Sequence, residues 1–382
     1  MPKTVWIVPH THWDREWYEP HDVFRARLVA MLDELLLMLE REPAYKFSLD
    51  GQSAAIEDYL EIRPEAAERV RDAVARGQLA LGPFQILLDE FCCDGETIIR
   101  NLEHGIRAAR RLGREMRVGY LPDMFGHAAQ TPQILRGFGI ADASLWRGVP
   151  AAVDKHAFVW EALDGSSVRV EYLWDGYGSA LKLFEPLEKL PELIDRYLRE
   201  NASWFDGEAV AGWYGTDHMA PRADLVQILR AYEGDVELKL GTIEDVIASR
   251  DHSADALGKL PRVRGELRSH ARGNLLPGVF SIRTNLKAAM ARAERALTSA
   301  ERLDAWLGGP SRQGFFDRGW GLVIESTAHD SVTGCGVDST AEEVEARLKV
   351  AEQTAEGAID IALSGLATHA PMGSVAVFNQ SG

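Results

Sequence analysis

The chain has 382 residues, 46% of them hydrophobic and 26% charged, with a formal net charge of −16. That length fits one large domain with a companion, and the composition is that of a globular protein, not a disordered one. A surface this acidic repels phosphate backbones and anionic lipid, so neither nucleic acid nor a membrane surface is an expected partner.

The most apolar stretch, residues 25–39, is interrupted by Asp33 and Glu34, short of the roughly 20 apolar residues a span needs. The opening MPKTVWIVPH reads as a core strand and not as a signal peptide. Cys92, Cys93 and Cys335 are odd in number and two are adjacent. That is no disulfide framework, and the thiols read as structural groups in a reducing, cytoplasmic setting.

In chain order, strands are expected at residues 4–9, 45–49, 78–82, 116–121, 142–146, 209–215 and 236–240. Helical patterns separate most of them. Residues 22–40 place Phe24, Leu28, Met31, Leu35 and Met38 at helical spacing, and residues 65–76 stop at Gly77. Seven strands alternating with helices predict an α/β fold with a parallel sheet, open or closed into a barrel. Residues 158–174 read as a hairpin turning at Asp164-Gly165, an excursion from that sheet.

The pattern changes after about residue 260. A long amphipathic helix is expected over 281–308, lined by Ile282, Leu286, Met290, Ala293, Leu297, Ala300 and Leu303. Another covers 340–366, opened by a Thr340–Glu343 capping box. Two or three such helices make a bundle. The run 373–382 reads as a strand entering a further domain, so the sequence is expected to be a fragment. The expected division is 1–260 for the β/α domain, 261–368 for the helical bundle and 369–382 for the start of a β domain.

Four segments carry chemistry. PHTHWDREWY, residues 9–18, directly follows the first strand and offers His12 and Asp14 two residues apart. Active sites of parallel α/β folds gather at strand carboxyl ends, and zinc accepts both ligand types. Asp123, in a Pro122–Gly126 turn after the fourth strand, is either a turn former or a site carboxylate. Asp217 and His218 end a buried strand and need either a cavity or a cap for a helix starting at Pro221. His329 and Asp330, in the loop 325–336, read equally as a surface hydrogen-bond pair. Together these groups suit one metal ion and a pair of acids, and they do not choose a reaction.

The same segments, in this order, resemble glycoside hydrolase family 38, the class II α-mannosidases. HTHWDREW, PDMFGH and AHDSVTG carry the resemblance, supported by residues 81–105, SLWRG at 144–148, GEL at 265–267 and residues 275–287. GTDH in place of an Asp-Asp pair points to the bacterial branch. The resemblance implies a seven-stranded parallel β/α barrel followed by a three-helix bundle, with a β domain beyond. It implies one zinc ion held by His12, Asp14, Asp123 and His329. Asp123 would also be the nucleophile and Asp217 the acid/base, with Trp17, Arg147 and Asp330 binding substrate or steadying Asp123. Thr216 stands where the family pattern has a carboxylate.

The implied substrate is an α-mannoside or mannose-containing oligosaccharide, and a homo-oligomer is compatible with everything above. Mannosylglycerate hydrolysis is the alternative within the family. A weakly active, carbohydrate-binding fragment is the alternative outside catalysis. A metal-dependent amidohydrolase would want further strand-end histidines, for which only His218 offers itself.

Overall fold

The computed structural model describes residues 3–375, 377 and 379, except 206, 309, 310 and 369. The chain forms two compact units, each assembled from separate stretches. The first comprises Met1–Arg15, His21–Leu87 and Leu102–Leu276; the second comprises Glu16–Pro20, Leu88–Asn101 and Pro277–Gly382.

The first unit alternates strand and helix. In chain order it contains β1 (Thr4–Thr11), α1 (His21–Arg41), β2 (Phe47–Leu49), α2 (Ala54–Ile62), α3 (Ala67–Ala75), β3 (Leu79–Ala80) and the later turns of α4 (Gly95–Arg111). Next come β4 (Val118–Leu121), α5 (Thr131–Gly137), β5 (Asp142–Leu145), β6 (Ala157–Glu161), β7 (Ser167–Tyr172), α6 (Leu190–Phe205) and β8 (Val210–Tyr214). It closes with α7 (Leu225–Ala231), β9 (Glu237–Leu240), α8 (Ile243–Ala248), α9 (Ala254–Gly258) and β10 (Arg262–Arg264). Every expected strand up to residue 240 is present, each within a few residues of its expected bounds.

The ladders form two five-stranded sheets. One runs β3-β2-β1-β8, with β9 also paired to β1; the other runs β10-β6-β7-β5-β4. All pairings are parallel except β6 with β7. The expected hairpin exists, but it is no excursion. β7 pairs in parallel with β5 and β10 with β6, so the hairpin lies within a sheet. Ladder closure into a seven-stranded ring is not seen among the described strands.

Alternation along β1 sets the core. Val5 and Ile7 pack with Leu28, Leu32, Leu35 and Leu39 of α1. Val8 points the other way, joining Tyr120, Leu173 and Trp213, as period-two geometry requires. That second cluster takes side chains from strands of both sheets. The helix expected from Pro221 begins instead at Leu225, with Asp224 as its N-cap residue.

The second unit is helical. Its core joins α10 (Thr284–Leu307), α11 (Gln313–Ser326) and α12 (Asp338–Ala367) through Leu286, Met290 and Leu297, through Phe316, Trp320 and Val323, and through Val344, Leu348 and Ala355. Two local expectations fail. Ile282 is exposed and precedes the helix, which starts at Thr284. The Thr340–Glu343 capping box does not form, because α12 begins two residues earlier at Asp338 and Thr340 is buried in its first turn. Burial of the threonine there outweighs its cap preference. The strand expected at 373–382 falls partly outside the described residues; Ser374, Val375, Val377 and Asn379 are not in a strand. Among the described residues, no helix is long and apolar enough to cross a membrane.

Candidate active site

The first unit ties two of the motifs together through backbone alone. β1 and β8 run parallel from Val5↔Val210 to Pro9↔Tyr214. Just beyond, the His12 N–H donates to the Thr216 carbonyl at 3.1 Å and the His218 N–H donates to the His12 carbonyl at 2.8 Å. Gly215 permits this approach: a Cβ there would stand 2.1 Å from the His10 carbonyl oxygen. Only glycine fits so tight a crossing.

His12 and Asp14 are both buried. The His12 Nε2 lies 3.1 Å from Asp14 Oδ1, and the opposite ring nitrogen faces the Asp50 carboxylate at 3.1 Å. Asp50 is itself fixed, accepting the Trp13 N–H at 2.7 Å and the Gln52 amide at 2.9 Å. Burial alone would lower the His12 pKa, but Asp50 and Asp14 override it and hold the imidazole well above its ordinary range. Two carboxylates around one ring therefore demand positive charge, supplied by a proton or a cation. A nitrogen and a carboxylate oxygen placed together, with the far ring nitrogen held by a second carboxylate, is a donor set and outer arrangement that zinc uses. These residues fit a metal ion.

The second feature is a pair of acids with dedicated partners. Asp123 follows β4 and is half-buried. The Arg147 guanidinium donates to its Oδ1 through Nε at 3.0 Å and through Nη2 at 2.6 Å. Arg147 is braced in turn by the Asn274 carbonyl. Its neighbour Gly148, at φ +84, lies where a Cβ would strike the Leu267 carbonyl. Asp217 is exposed, not partly desolvated as an initially protonated acid would call for. The Tyr177 hydroxyl donates to Asp217 Oδ1 at 2.7 Å. Burial, followed by the negative charges of Asp123, Asp217 and Asp14, raises the Tyr177 pKa far above its usual value. The phenol thus remains a neutral donor to Asp217.

Asp50 and Tyr177 went unread in the sequence. Asp50 directly follows β2, and the strand-end rule that selects Asp123 would have selected it. Tyr177 sits in a short Asp-Gly-Tyr-Gly turn after β7 that has no distinctive spacing.

The remaining candidates belong to the second unit. The Trp17 ring, half-buried, meets Tyr18 edge-on at 5.1 Å, and the Trp17 carbonyl accepts the Val337 N–H at 2.9 Å. Glu16 is fully buried, binding the Arg347 guanidinium and accepting the Ser331 hydroxyl at 2.6 Å. His329 and Asp330 follow α11 in a turn that is anchored where the Asp89 N–H donates to the Thr327 carbonyl at 3.0 Å. The Cys335 thiol lies 2.7 Å from Asp330 Oδ1. Burial and then Asp330 push that thiol far up, which favours its protonated form. Cys92, Cys93 and Cys335 are all free.

Residues 2–260 match the family described as Glycosyl hydrolases family 38 N-terminal domain. A provisionally named mannosylglycerate hydrolase of Halalkalibacterium halodurans is 31% identical over 373 residues, covering 92% of this chain and 41% of that protein. Human alpha-mannosidase 2C1 is 25% identical over 351 residues, covering 89% of this chain and 33% of that protein. The fold is similar to that of an alpha-mannosidase from Enterococcus faecalis V583, with a TM-score of 0.88 and 28% identity over 96% of this chain and 43% of that one. The chain spans less than half the length of these relatives.

Proposed function

Because the chain belongs to glycoside hydrolase family 38, we propose that it carries the catalytic core of a retaining α-mannosidase. The observation that carries this reading is the Tyr177 hydroxyl, which hydrogen-bonds Asp217 within the fields of Asp123 and Asp14. A retaining glycosidase needs two carboxyls at one reacting centre, and the distinct partners of Asp123 and Asp217 support that pair.

Asp123 attacks the anomeric carbon and forms an ester as the bond to the aglycone oxygen breaks. Asp217 donates its proton to that oxygen, then takes a proton from the water that hydrolyses the ester. Arg147 orients Asp123 and favours its ionised form. Tyr177 orients Asp217. Asp217 is exposed in the free chain, so bound sugar would have to exclude water from around it. His12, Asp14, Asp123 and, from the second unit, His329 would hold one divalent cation, with zinc the expected ion. The cation would grip sugar hydroxyls and favour the charge-bearing ring. Trp17 would stack against the mannose and Asp330 would bind its hydroxyls.

The two sheets share one core cluster, which supports the barrel that the family resemblance implies. The relatives' greater length supports a β domain following the helices in the whole enzyme, so this chain alone should turn over slowly. Free thiols support a cytoplasmic setting. Mannosylglycerate, with a small charged aglycone, is the second reading, favoured by the name of the 31% identical bacterial relative.

The test combines metal analysis with hydrolysis of p-nitrophenyl α-mannoside and of mannosylglycerate by this chain. The wild type should bind one zinc and release product slowly with retained configuration. Asp123→Ala should lose zinc affinity and about 10³-fold or more in rate. Asp217→Ala should lose rate and keep its metal. Undiminished turnover by Asp123→Ala would overturn the assignment.

A further inference from the structure

The turn that carries Asp217 also carries an imidazole, and the proposed function gives that group no task. His218 has φ +52, in the left-handed region, a conformation that costs most side chains and that Asp and His accept more readily than others. Among the described non-glycine residues with such a φ are Asp50, His218, Leu276 and Arg283. Two of these four, Asp50 and His218, flank the His12–Asp14 pair. Backbone outliers gathered at one place point to a task there.

The His218 ring is held on several sides. It stacks on Trp13 with centroids 4.3 Å apart and planes 18° apart, and it meets the Phe24 ring edge-on at 4.2 Å. Its backbone N–H is fixed on the His12 carbonyl. So restrained, its Nε2 stands 3.5 Å from Asp14 Oδ2. The other oxygen of the same carboxylate, Oδ1, faces His12 Nε2 at 3.1 Å. Two imidazoles therefore address opposite oxygens of one buried carboxylate, one fixed by Asp50 and the other by an aromatic stack.

We propose that His218 is a positioning residue for Asp14. Its imidazole sets the rotation of the carboxylate so that Oδ1 shares a focus with His12 Nε2, which raises affinity for a divalent cation at that point. This rests on the reading above that Asp14 is a metal ligand. It adds that one short turn, Thr216–His218, both presents the acid/base Asp217 and orients a metal ligand. Binding of the cation then also fixes the turn that delivers the proton.

Zinc affinity of this chain, measured without substrate by competition against a chromophoric chelator, tests the idea. His218→Phe keeps the stacking and removes the ring nitrogens. Its zinc Kd should weaken by about 10–100-fold, the usual loss on removing a partner of a metal ligand. His218→Gln, which restores an N–H donor at similar reach, should recover most of that loss, with thermal unfolding close to that of His218→Phe. A purely structural histidine would not show that recovery. Asp14→Ala serves as the control. If Asp14→Ala weakens zinc binding and folded His218→Phe binds like the wild type, the positioning role is wrong and the metal site stands. If Asp14→Ala also binds like the wild type, the metal reading itself fails. Should His218→Phe not fold, His218→Met, which lacks the ring nitrogens and is more flexible, carries the same two outcomes.

Discussion

Two buried ionic clusters lie in the first unit, and they are built on opposite principles. In one, the Glu171 carboxylate receives Arg250 at 2.5 and 3.2 Å, Arg169 at 2.8 Å and His156 at 3.2 Å. Burial would raise the Glu171 pKa, but Arg250, His156 and Arg169 hold it well below the usual carboxylate range. In the other, Asp14 and Asp50 surround His12, with His218 beyond. The first carries permanent guanidinium charge. The second has imidazoles where the first has guanidiniums. The Glu171 cluster arrives neutralised, whereas the carboxylates around His12 leave room for outside positive charge.

The sharpest way to break this comparison is to remove charge from the structural cluster. Arg250→Ala leaves the buried Glu171 with Arg169 and His156 only and should cost about 3 kcal/mol in chemical denaturation, leaving zinc affinity unchanged. A loss of zinc binding in a variant that remains folded would show that the two clusters are not independent.

The second unit offers a third case, a carboxylate held by neutral donors alone. Glu294 accepts the Asp94 N–H at 2.8 Å and the Thr97 hydroxyl at 2.7 Å. Burial pushes its pKa up to about 7. The folded state therefore binds this proton more tightly than the unfolded chain does. The contribution of Glu294 is most favourable below the unfolded pKa, near 4.5, and is lost as pH rises through about 7. Glu294→Gln keeps the acceptor and should flatten that fall, gaining roughly 2–3 kcal/mol at pH 8 in pH-resolved unfolding.

Asp50→Asn probes the site cluster more gently. It keeps the shape and removes one charge behind His12, so zinc affinity should drop about 10–100-fold. A smaller effect is expected at Tyr177→Phe, which removes one hydrogen bond to Asp217. On p-nitrophenyl α-mannoside kcat/KM should fall about tenfold, mainly through kcat.

Much of this was legible in the residues. Apolar runs mark the strands, and their carboxyl ends single out His12, Asp14, Asp123 and Asp217 as candidates. What stayed hidden depended on partners distant in sequence. The pairing of β7 with β5 is a register, not a pattern, so the hairpin looked peripheral. Thr340 has the chemistry of a cap, yet burial against the helical core placed it inside the first turn. Tyr177 matters because its hydroxyl reaches Asp217, 40 residues away, and no local spacing encodes that.

Glu16 has a consequence for synthesis. Its carboxylate is fully buried, and its guanidinium partner, Arg347, lies 331 residues downstream. On the ribosome the HTHWDREW motif emerges before that partner and waits for it roughly 20–60 s at ordinary elongation rates. Throughout that interval an acidic group destined for the interior stays hydrated.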